Sequence, residues 1–168
     1  TGTLWINTVY DDTGWATGSG VFGTEPQADN GTAPDGMHSY NINTPISNEK
    51  LSMFFRKTFT VCDPAAVSAL TLNSLFDDGM VVFINGTRVY KEDVTGTPPP
   101  WNGGVTSSVL HEARFYEPKD LTSITGLEGL RSLLVAGDNV IAVGVYNAKN
   151  ADYPASFSSD IVWDGELL

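Results

Sequence analysis

Between Met53 and Tyr90 the apolar residues recur at every second position, and turn-forming pairs interrupt them at short intervals. Few architectures accept that pattern other than an antiparallel sheet with one buried face. Met53, Phe55, Phe59 and Val61 share one side of the first run, and Phe54, Arg56, Thr58 and Thr60 share the other. Lys57 breaks the apolar side, but its methylene stem can lie along apolar neighbours while the ammonium reaches water. Leu70, Leu72, Ser74 and Phe76 form a second alternating set, Asp77-Asp78-Gly79 reads as a turn, and Met80 to Ile84 reads as a third strand. Asn85-Gly86 tolerates the positive backbone angles of a tight hairpin, so Thr87 to Lys91 is expected to return beside that strand. A sheet with one hydrophobic face needs a cover, and a second sheet is the natural one.

The rest of the chain continues in the same style. Trp5, between Leu4 and Ile6, predicts a short strand over Thr3 to Asn7, and Tyr10 to Gly23 is turn-rich around Trp15 and Phe22. Trp15 and Trp163 are expected in the core. Two long polar loops follow, Thr24 to Asn48 and Glu92 to Ser108; in the second, Pro98 to Pro100 stiffen the approach to Trp101. Val109 to Tyr116 reads as a weakly alternating strand. Asp120 to Leu134 permits one or two short helical turns, with Gly126 and Gly129 opposing a longer helix. Asn139 to Asn147 and Phe157 to Leu168 close the chain with strands. In the first, Ile141, Val143 and Val145 share a face; in the second, Ile161, Trp163 and Leu167 do. About eight strands without a linker predict one all-β domain over residues 1–168, an antiparallel β-sandwich most simply wound as a jelly roll.

Composition narrows the functional classes. A formal charge of −11 argues against nucleic acid or an anionic membrane as partner, because phosphate contacts need cationic side chains. No apolar run is long enough to cross a bilayer. The single cysteine, Cys62, cannot form an internal disulfide and is expected as an inert, buried or half-buried thiol. His38 and His111 belong to no spaced cluster, which disfavours zinc and a serine triad. The carboxylates offer no selectable catalytic pair, so no enzymatic activity is expected. They do suit a hard cation such as calcium, which takes oxygen ligands from irregular acidic loops.

YDDTGW, FFRKTF, DDGMVVFINGTRVY, GDNVIAVGVYN and SSDIVWDGEL occur in an order that resembles the galactose-binding-domain-like β-sandwiches. Such modules accompany catalytic domains in secreted polysaccharide-acting enzymes. FFRKTF and the following hairpin are also similar to the sugar-binding jelly-roll domain of β-galactosidase-type glycoside hydrolases. The resemblance implies an extracellular, noncatalytic carbohydrate-binding module beside a catalytic domain, with a polysaccharide or oligosaccharide as ligand. The other reading is a structural or protein-interaction module that positions the catalytic domain without binding sugar. Where similar modules read AVEVHN, this chain carries Gly144 and Tyr146 in place of the Glu and His.

Sugar recognition uses aromatic faces against pyranose rings and polar groups against hydroxyls. Trp101 in its polar loop is the first candidate, followed by Tyr40, Tyr116, Tyr146 and Tyr153, with Arg88 beside the hairpin as a hydroxyl partner. The resemblance also implies a structural calcium where an early loop meets the last strand. Asp160 matches the late ligand, and Asp11, Asp12 or a residue of the Asp29 to Asp35 loop, Asp35 included, is the early one.

Overall fold

A computed structural model describes residues 3–24, 40–46, 51–94, 111–148 and 160–168. Its strands are β1 (Phe22–Thr24), β2 (Thr44–Pro45), β3 (Ser52–Val61), β4 (Thr71–Phe76), β5 (Gly79–Ile84), β6 (Thr87–Glu92), β7 (Glu117–Asp120), β8 (Gly137–Tyr146) and β9 (Ile161–Leu167), with one helix, α1 (Gly126–Leu133). One sheet runs β2-β1-β9-β4-β7 and the other β3-β8-β5-β6. The result is a predominantly β, two-sheet fold of the general β-sandwich kind. Pairing is antiparallel except between β1 and β2, where Phe22 and Gly23 lie parallel to Thr44 and Pro45.

The alternating faces meet as the sequence predicts. Leu72 and Phe76 of β4 and Ile161 of β9 pack against Met53 of β3, Met80 and Val82 of β5, and Val143 and Val145 of β8. Each fully buried side chain of this size contributes about 1.5–3 kcal/mol relative to exposure. Trp163 joins from β9, half-buried, with its ring 4.2 Å from Phe55 and 6.1 Å from Phe22. The hairpin forms at Asn85-Gly86, both residues having positive φ (49° and 86°). Asn85 Nδ2 donates to Leu133 O and Asn139 Oδ1, and Val140 N donates to Asn85 Oδ1, so the turn is fastened to the end of α1 and the start of β8.

Both sheets are also covered on their outer faces. Behind the four-stranded sheet, Ile6 and Val94 seal Val81, Phe83, Ala142 and Tyr146. Behind the other sheet, Val21, Tyr40 and Ala113 pack on Leu75 and Val162. Four expectations change accordingly. Residues Thr3–Ile6 form a 3-10 helix, not a strand: Trp5 lies against Phe54 and Phe83 at 4.7 and 5.8 Å, which a curled segment achieves and a sheet-edge strand does not. Trp15 stays half-exposed, edge-on to Tyr10, outside the apolar clusters. Cys62 is exposed, because it follows the last residue of β3 beyond the sheet. Residues 111–116 are irregular, and the strand begins at Glu117.

Candidate functional site

The Asp77-Asp78 pair carries the chain from one sheet to the other. Asp77 N donates to Val162 O on β9 (3.1 Å), and Asp78 N donates to Tyr146 O on β8 (3.3 Å). The link therefore sits at the end of the sandwich with its backbone satisfied from both layers. Its carboxyls are consequently buried, at 2% and 1% exposure, where a hairpin turn would display them. Asp78 Oδ2 accepts from Ala148 N at 2.6 Å, and the two carboxyls hydrogen-bond to one another.

Two further acids converge here. His111 lies flat on Phe76, rings 4.0 Å apart, and its Nδ1 donates to Phe76 O at 3.0 Å, which brings Glu112 beside Asp77. Asp160, 9% exposed, precedes β9. Carboxylate oxygens of Asp77, Glu112 and Asp160 lie within 4.8 Å of one another, so the three could hold a divalent cation. Burial, followed by the charge of Asp78, Asp160 and Glu112, raises the Asp77 pKa; burial also raises that of Asp78 against the opposing hydrogen bond from Ala148.

A second group, Glu92, His111 and Glu117, has comparable spacing but a cation of its own. Lys119 Nζ sits 2.8 Å from Glu92 Oε2, 2.5 Å from Glu117 Oε2 and 5.0 Å from the centre of the Phe76 ring. Burial works to raise the Glu117 pKa, but the hydrogen bond and charge of Lys119 outweigh it and hold the carboxyl below its usual range. This group is a closed ion-pair network at the junction of β6 and β7.

The structure separates the residues expected to act together. Asp160 meets Asp77 and Glu112, and not Asp11 or Asp12. Asp12 Oδ2 pairs with Arg56 Nε at 2.7 Å, and Asp11 is engaged by the amide and hydroxyl of Thr13, which hold its pKa low. Among the ligand candidates, Tyr146 is fully buried against Phe54 and Tyr40 is buried in the outer cluster. Neither ring can offer a face to a glycan, which corrects the expectation for both. Arg88 is half-buried on β6, opposite Phe83. Tyr116 is exposed (40%), with its hydroxyl donating to Asp164 Oδ2 at 2.5 Å, and its neighbour Phe115 is more so (64%). Burial and the Asp164 carboxylate raise the phenol pKa. Gly20 makes room for this arrangement: a Cβ there would meet Asp164 Oδ1 at 1.9 Å. Trp101, Tyr153 and Asp35 lie outside the described residues.

Sequence reasoning missed Asp77, Glu112 and Phe115 as site residues. The available signal was the unbroken apolar run MVVFI after Asp77-Asp78, since a strand buried on both faces places its preceding turn at a sandwich end.

No protein-family model and no curated protein matches the chain. Among solved structures it is similar to a β-D-mannosidase from Dictyoglomus thermophilum, at 16% identity and a TM-score of 0.32, over 56% of this chain and 9% of the mannosidase.

Proposed function

We propose that the chain is a noncatalytic, secreted carbohydrate-binding module of the galactose-binding-like jelly-roll type, serving a neighbouring polysaccharide-degrading domain. The observation that carries this reading is the adjacent pair Phe115 and Tyr116, two exposed rings on a surface where lone exposed apolar residues are the norm. The hydrogen bond to Asp164 fixes the Tyr116 ring before any ligand arrives, and a fixed aromatic face loses little entropy on binding. Asp164 and the exposed Glu166, on the same face of β9, are acceptors for hydroxyls at its edge. Calcium, as a hard ion suited to carboxylate oxygens, is the structural cofactor in this reading.

One observation favours a scaffold that binds no sugar: the fold itself consumes Tyr40 and Tyr146, while Trp5 and Trp163 pack against core clusters. Affinity electrophoresis against plant, algal and microbial polysaccharides distinguishes the two. Retardation by at least one polysaccharide, lost in Phe115→Ala and Tyr116→Ala, is expected. Migration unaffected by every polysaccharide replaces the binding module with the scaffold.

A further inference from the structure

We propose that Asp77, Glu112 and Asp160 bind one divalent cation, calcium by ligand type, and that this ion ties together the sheet-to-sheet link, the segment leading to Phe115, and the start of β9. The proposal deepens the calcium element of the reading above and is independent of sugar binding.

Acidic clusters occur commonly without ions, so a separate observation is needed. Asp77 supplies it. Its side chain is about as buried as any in the core, yet Oδ1 is sealed from solvent with no hydrogen-bond donor. A buried acceptor without a partner is costly. The same carboxyl faces the oxygens of Glu112 and Asp160. None of the ion pairs among the described residues reaches Asp77, Asp78 or Glu112, whereas Lys119 already neutralises the neighbouring Glu92–Glu117 group. A cation supplies the partner that Asp77 Oδ1 lacks. An all-carboxylate donor set selects a hard ion over zinc or copper.

The test uses the full chain, stripped with chelator and titrated with calcium chloride alone, followed by calorimetry and thermal melting. One ion per chain is expected, with Tm raised by roughly 5–10 °C at about one hundred times Kd. Glu112→Gln and Asp160→Asn should each weaken the ion at least about tenfold with the circular dichroism spectrum unchanged. Asp77→Asn should abolish the calcium response. Glu128→Gln, at an exposed acid on α1, should bind as the wild type does. Absence of calcium heat and of any Tm change in the stripped wild type overturns the proposal. So does wild-type affinity in Glu112→Gln and Asp160→Asn together. Calcium binding in a chain that retains no polysaccharide leaves the ion site standing and removes only the sugar reading.

Discussion

Arg56→Leu is the substitution with the clearest worked consequence. The Arg56 side chain is 4% exposed and reaches from β3 to the N-terminal segment. There it donates to Asp12 Oδ2 at 2.7 Å, to Trp5 O, and to Asn7 O at 3.1 Å, while its guanidinium lies 5.4 Å from the centre of the Tyr10 ring. Asn7 O also accepts from Tyr10 N at 3.2 Å, but Trp5 O is left over where the 3-10 helix ends, so removing the guanidinium strands it beneath the segment. Hydrogen bonds to a charged group contribute about 1.5–3 kcal/mol each when buried. The Asp12 contact is discounted because that carboxylate is 44% exposed and regains water. A loss of about 2–4 kcal/mol follows, or roughly 5–12 °C in Tm for a domain of this size. Arg56→Lys keeps the charge but not the fork that serves three acceptors, and should lose about half as much. Asp12→Asn should lose under about 1 kcal/mol. Urea unfolding gives the free energies, and hydrogen exchange over residues 4–15 shows whether the loss is local. A loss below about 0.5 kcal/mol for Arg56→Leu, or an equal loss for Asp12→Asn, refutes the reasoning.

Three further outcomes are expected. Asn85→Ala breaks three hydrogen bonds and places alanine at positive φ, so a loss of about 2–4 kcal/mol in chemical denaturation is expected; a change under about 1 kcal/mol would show the turn to be held by packing alone. Gly20→Ala pushes Asp164 off the Tyr116 hydroxyl, at about 1–3 kcal/mol, and ultraviolet titration should show the raised phenol pKa falling toward the ordinary tyrosine value; an unchanged titration would contradict the coupling. The folded-state pKa of Glu117 lies below its unfolded value near 4.5, so its contribution is fully present above that pH and is lost as pH falls through the folded value. Glu117→Gln should therefore flatten the acid limb of the stability profile, and a limb of unchanged slope would exclude the Lys119 network as its source.

Much of the fold is legible where period and turn chemistry agree. The two faces of β3, the Asn85-Gly86 hairpin, and the opposed sets Ile141–Val143–Val145 and Ala142–Tyr146 all follow from alternation. Alternation assigns residues to faces but does not say whether the second face is wet. Tyr146 was expected as an aromatic surface because its side opposes the core; Ile6 and Val94 cover that side from distant parts of the chain. The acid cluster was hidden for a related reason. A two-residue link between sheets and a two-residue hairpin look alike in sequence, and only the donors to Val162 and Tyr146 carbonyls separate them. Asp160 was legible as a ligand candidate from its place before the last strand, but its neighbours come from segments of unrelated sequence position.

Residue-resolved NMR during titration with a retained polysaccharide tests the functional reading most directly. The account predicts shift changes centred on Phe115, Tyr116 and Asp164, with the amides of Tyr40 and Tyr146 still. Changes centred elsewhere on the sandwich, or none with any polysaccharide offered at millimolar concentration, would contradict it.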